Sequence, residues 1–157
     1  WFSQPITFEL TEAWDGFENT VLLHLVLPAP SDGGLRPASM LGEIGFDVSA
    51  KLTVDETVAE LLALEGIDVT EPVPSELTGL TGTALTASPL ADDVHIGFAV
   101  YPDGSSWYLP AGARVEVHVL EAPDGRTLVV WIDGPDGTWD DFRPRAQAVL
   151  DTVRWEP

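Results

Sequence analysis

The sequence predicts one α+β domain, a mainly antiparallel sheet with helices over both of its faces. Three observations carry that expectation. The first is the order of periodicities: alternating segments, a helical stripe, more alternating segments, then a second helical stripe. The second is short turn chemistry between neighbouring strands, which returns the chain antiparallel. The third is that segments 21–27 and 127–132 are apolar on both sides, whereas a strand with one wet face alternates. A three-layer α/β/α sandwich follows.

Ile6–Leu10 alternates, with Ile6, Phe8 and Leu10 on one side, and runs to a turn at Trp14-Asp15-Gly16. Val21–Leu27 is the next strand, apolar apart from His24. The turn formers from Pro28 to Pro37, with Asp32-Gly33-Gly34, form a loop before a strand at Glu43–Ala50. Thr53 opens a helix at Val54–Leu64, because Glu56 three residues on completes a capping box. Val54, Val58, Leu61 and Leu62 form its apolar stripe, and Gly66 stops it.

The stretch from Pro72 to Pro89 holds one strand at Gly82–Ala87, and Val94–Val100 alternates again. Val115–Leu120 and Thr127–Ile132 flank the turn triplet Pro123-Asp124-Gly125 and make a hairpin. The last element is a helix from Phe142 to Val153, with Phe142, Ala146, Val149 and Val153 at helical spacing. Pro144 is harmless only in a first turn, so the N-cap falls at Asp140 or Asp141. Trp14, Trp131 and Trp155 read as core or core margin.

Length bounds this to a single domain, residues 1–157. Twenty-six acids against seven bases give a net charge of −19, and Lys51 is the one lysine. Such a field repels phosphate backbones and anionic lipid heads, which excludes nucleic acid as a partner. The acids are scattered, as on a solvated surface. Cysteine is absent, so there are no disulfides, thiolate metal sites or cysteine nucleophile. The longest apolar runs fall short of the ~20 residues of a membrane helix, so this segment is not integral to a membrane. The chain begins at Trp1 without a start Met or a signal peptide, which suggests an upstream segment, an N-terminal anchor among the options.

Three histidines could serve as bases or ligands. His24, His95 and His118 each lie in a strand, without helical metal spacing. His95 and His118 point away from the apolar side of their strands and read as half-exposed; His24 reads as hydrogen-bonded near the core. Asp103-Gly104-Ser105-Ser106 is a loop without the strand–Gly-x-Ser-x-Gly–helix of a nucleophile elbow. Asp133, Asp136 and Asp140 are weak calcium candidates, hard oxygens near Gly134 and Gly137, but their spacing is not that of the twelve-residue calcium loop. Those acids suit a turn followed by a helix cap. Gly79-Leu80-Thr81-Gly82 lacks the Lys-Ser/Thr of a phosphate cradle. Trp107-Tyr108, beside the Asp103-Gly104 turn, is an aromatic pair of the type that dominates binding hot spots. Trp107, Tyr108 and His118 are thus the binding candidates, and no cofactor is expected.

Several phrases resemble exported actinobacterial and lipoprotein domains of the Mog1/PsbP-like type: Phe2–Trp14 (FSQPITFELTEAW), the helix at 54–68 (VDETVAELLALEGID), Leu77–Leu85 (LTGLTGTAL) and residues 113–155. The resemblance implies a twisted antiparallel sheet between helices, often on a membrane-tethered protein outside the cytoplasm. It also implies a binding or accessory role, as in photosystem extrinsic subunits, a Ran-binding nuclear import factor, secretion chaperones and mycobacterial lipoproteins. It brings no shared catalytic residues. The expectation is a non-catalytic, extracytoplasmic domain that binds an unidentified protein or small ligand. The alternatives are a hydrolase using His24, His95 or His118 with nearby acids, and a structural domain of a larger cell-envelope protein.

Overall fold

Two apolar clusters lie on opposite faces of one sheet, and a helix closes each. The computed structural model describes residues 6–10, 12, 14–18, 22–28, 40–49, 52–90, 94–100, 106–109 and 111–156. Of the strands, β1 (Ile6–Thr7) pairs with β12 (Arg154–Trp155) in a separate ribbon, as β8 (Val94–Val100) does with β9 (Ser106–Leu109). The remaining strands form an eight-stranded sheet: β2 (Asp15–Glu18), β3 (Leu22–Pro28), β4 (Met40–Ser49), β5 (Ile67–Val69), β6 (Val73–Leu77), β7 (Leu80–Pro89), β10 (Ala113–Glu121) and β11 (Thr127–Pro135). Its order is β2-β3-β4-β11-β10-β7-β5, and β6 lies beside β5 on the same edge of β7. Every pairing is antiparallel.

Register explains the two cores. Phe46 pairs with Val130, which pairs with His118, and that row continues through Ala84 to Val73. The next row runs from Gly45 through Trp131 and Val117 to Leu85. Successive residues face opposite ways in a strand, so Ile44, Phe46, Leu128, Val130 and Ile132 face one side and Val115, Val117, Val119 and Trp131 the other. On the first side sits α2 (Trp139–Leu150), inserting Trp139, Phe142, Ala146 and Val149. On the second sits α1 (Val54–Leu62), with buried Leu61 and half-buried Val54 and Val58. The expected three-layer α+β architecture is therefore present.

The first helix begins as the sequence indicates. Thr53 Oγ1 accepts from the Glu56 N–H at 3.3 Å, and Glu56 Oε2 accepts from the Thr53 N–H at 2.9 Å. It ends at Leu62 rather than Leu64, and Leu62 is exposed instead of completing the apolar stripe. The second helix departs further. It starts at Trp139 with N-cap Thr138, after a 3-10 turn at Asp136–Thr138, so Asp140 and Asp141 lie inside its first turn. Pro144 is thus the sixth helical residue, not a first-turn residue. Trp139 explains the early start, since its ring must reach the core beside Phe142, 6.4 Å away between centroids.

Other boundaries also shift. Asp15 and Gly16 belong to β2, where a turn was expected, because they pair with Val26 and Leu25 of β3. The stretch from Pro72 to Pro89 holds a hairpin rather than one strand, β6 turning at Thr78-Gly79 into β7. Between β5 and β6 the edge is carried across its break by Thr70. Its N–H donates to Thr86 O, and its Oγ1 accepts from Thr86 N–H, both at 2.9 Å. The loop expected from Pro28 to Pro37 and the turn at Asp103-Gly104 lie largely outside the described residues.

Candidate functional site

A continuous chain of polar side chains crosses the face that carries α2. It starts on β10, where Glu116 and His118 share that face because they are two residues apart. Their apolar neighbours Val115, Val117 and Val119 point to the other core. His118 does not stay half-exposed as expected: it is 9% exposed. Opposite it on β7 is Ala84, and Gly82 lies beside Ser75 of β6. These two small residues let the imidazole reach diagonally across β7 to the edge strand. Ser75 Oγ is 2.8 Å from His118 Nδ1, and His118 Nε2 is 2.9 Å from Glu116 Oε1.

The second helix supplies the far end. Arg143 donates from Nε to Glu116 Oε2 at 3.0 Å and from Nη2 to Glu116 Oε1 at 2.8 Å, a two-pronged guanidinium–carboxylate pair. Its Nη1 donates to Gln147 Oε1, and Gln147 Nε2 donates to Asp151 Oδ1, both at 2.6 Å. The chain therefore ties β6, β10 and α2 together. Burial pushes the Glu116 carboxyl up, but hydrogen bonds from His118 and Arg143, with the charge of Arg143, outweigh it and hold the group at about 2.

That charge fixes proton positions. An ionised carboxylate only accepts, so Nε2 of a neutral His118 must carry its hydrogen toward Glu116. Nδ1 is then the bare nitrogen, and it accepts from the Ser75 hydroxyl. Hydroxyl, imidazole and carboxylate in this order are the arrangement in which a base can take a hydroxyl proton. Ser75 was not singled out by sequence reasoning. The one available signal was Glu116 and His118 on a common strand face.

The other sequence candidates fall elsewhere. His24 lies on β3 opposite Gly45, and His95 on β8 opposite Tyr108 of β9. Trp107 is opposite Ile96. The side chains of these four residues lie outside those described. The three histidines thus do not share one strand neighbourhood. Asp133 is not in a loop but in β11, directly opposite Glu43 of β4. Its burial, followed by the charge and hydrogen bonding of Glu43, raises its carboxyl well above the usual range. Asp136 pairs with Arg114 at 2.7 Å, and Asp140 is exposed in the first turn of α2. Among the described residues no three His, Asp or Glu side chains are grouped to hold a metal ion.

No protein-family model and no curated protein matches the chain. Solved structures do. One is LpqN, involved in cell envelope biogenesis of Mycobacterium tuberculosis, with a TM-score of 0.57 at 14% identity over 97% of this chain and 83% of that one. Another is a protein of unknown function from Pseudomonas aeruginosa, PA94, described as a putative regulator. Its TM-score is 0.56 at 13% identity, over 97% of this chain and 98% of that one. At such identities the likeness is one of fold.

Proposed function

We propose that this is an extracytoplasmic accessory domain of the Mog1/PsbP-like type, working at the cell envelope by binding a protein or small ligand. The observation that carries the reading is the match to LpqN along nearly the whole chain, with that protein's part in envelope biogenesis. The scattered acidic surface agrees with it, since a net charge of −19 suits a binding module that shuns nucleic acid and anionic lipid. Among the described residues no helix is long and apolar enough to cross a membrane. Trp107 and Tyr108 on the β8–β9 ribbon are the proposed contact residues, as aromatic anchors.

Compartment is tested by fusing the native gene, cut after Pro157, to alkaline phosphatase, which is active only where its disulfides form. Phosphatase activity in intact cells is the expected result; an inactive, cytosolic fusion overturns the reading. Contact is tested with a photo-crosslinking residue at position 107 or 108 in the native full-length protein. A discrete adduct at these positions, absent when the label is moved to exposed Glu60, supports them. Equal crosslinking from all three positions removes the aromatic pair from the account.

A further inference from the structure

From the Ser75–His118–Glu116 alignment, we propose that this domain carries a serine-nucleophile site that hydrolyses uncharged carboxylic esters. The geometry meets two requirements of such a site. The nucleophile is hydrogen-bonded to its base at 2.8 Å, and the base to an orienting acid at 2.9 Å. The acid is itself fixed, because Arg143 grips both carboxylate oxygens. The ring is used in the sense opposite to the familiar triad, serine on Nδ1 and acid on Nε2, and both nitrogens can perform either task. Ser75 is partly exposed on the edge of the sheet. Its neighbours Gly82 and Ala84 are small and half-exposed, and α2 packs on β4 and β11 rather than over β7. An acyl group therefore has room to approach.

The chemistry balances without a cofactor. As Ser75 Oγ attacks the ester carbonyl carbon, its proton passes to His118 Nδ1, and the imidazolium formed keeps its Nε2–H on Glu116. The C–O bond to the alcohol breaks, and the alkoxide takes the proton from Nδ1. Water then attacks the acyl-serine, giving its proton to Nδ1, and the carboxylic acid leaves as that proton returns to Ser75. Substrate charge follows from the surface: a field of −19 repels anionic esters and phosphate esters. Ser75 and His118 are the catalytic residues, and Glu116 acts through His118 as a positioning residue.

The test is covalent labelling of the folded chain with a neutral fluorophosphonate, in which Oγ displaces fluoride from phosphorus, followed by peptide mass mapping. The expected result is a single adduct on Ser75, absent from Ser75→Ala. His118→Gln should slow labelling about a hundredfold, the scale of one general base. Glu116→Asp should recover part of the rate that Glu116→Gln loses, which a purely structural carboxylate would not show. An unlabelled native chain overturns the proposal. So does an adduct that persists in Ser75→Ala or forms equally after heat denaturation, and both readouts hold whatever a variant does to folding.

Discussion

The indole of Trp131 lies across Gly45 on the neighbouring strand, occupying the space where any Cβ at position 45 would sit. Trp131 is fully buried and belongs to the core under α1, while Gly45 lies between Ile44 and Phe46 of the opposite core. One missing methyl thus lets a central tryptophan lie flat on the sheet.

Gly45→Ala must push that ring off its seat or move two central strands apart. Overpacking a core typically costs about 1–3 kcal/mol, and the upper end is expected because a Cβ at position 45 would lie within 2.0 Å of the ring atoms of the fully buried Trp131. A urea titration of Gly45→Ala reads the shift, and an unchanged midpoint would refute the packing.

Two carboxyls with opposite shifts should shape the pH profile. Glu116 is depressed from 4.5 to about 2, so its contribution is present above about pH 4.5 and lost as the pH falls toward 2. That contribution is on the order of 3 kcal/mol. Asp133 is raised by burial and by Glu43, so its contribution is present below about pH 3.8 and lost as the pH rises through its folded value. Urea midpoints across the acid-to-neutral range are expected to peak between these limits. Asp133→Asn should flatten the loss on the alkaline side, and Glu116→Gln the loss on the acid side. Parallel profiles for Asp133→Asn and the parent chain would remove the Glu43–Asp133 pair as the cause.

The turn from β6 to β7 has positive φ at both central residues, 55° at Thr78 and 85° at Gly79. Glycine takes this at no cost, but a β-branched side chain there is disfavoured by roughly 1–2 kcal/mol. Its hydroxyl offsets part of the strain by donating to Leu77 O at 2.8 Å. Thr78→Asn, which gives the Asn-Gly pair these turns favour, is expected to raise stability by about 1 kcal/mol in the same titration.

Pro144 sits at the sixth position of α2 and has no N–H to donate to the Asp140 carbonyl. Its ring is exposed, so no core contact depends on it. Pro144→Ala is therefore expected to stabilise the chain by roughly 1–3 kcal/mol. A loss of stability would mean that the proline holds the entry of the helix.

Much of this architecture is legible in the residues themselves. Val94–Val100, Val115–Leu120 and Thr127–Ile132 announce strands through alternation or β-branched runs, and Thr53 with Glu56 announces α1. The two-sided apolar character of β3 and β11 foretells the third layer. What stays hidden depends on tertiary context. Val73-Pro74-Ser75-Glu76-Leu77 has too little apolar character to suggest a strand, and becomes one because a two-residue turn returns it along β7. Pro74 is tolerated there since β6 is an edge. The start of α2 is set by the burial of Trp139, which outweighs the preference of Pro144 for a first turn. The candidate site is hidden for the same reason. His118 and Glu116 share a visible pattern, but Ser75 is 43 residues from His118 and Arg143 is 27 from Glu116. Only the strand order β10-β7-β6 and the crossing of α2 bring them together.

The Ser75–His118–Glu116 alignment depends on the place of one proton. If Arg143 holds Glu116 as a carboxylate and Ser75 donates to the histidine, neutral His118 carries its hydrogen on Nε2 and a lone pair on Nδ1. The direct measurement is the imidazole nitrogen spectrum of the ¹⁵N-labelled protein, followed with pH and read where the ring carries a single hydrogen. A protonated Nε2 with a bare, hydrogen-bonded Nδ1 for His118 is the predicted result. A hydrogen on Nδ1, or averaging between the two tautomers, would contradict it.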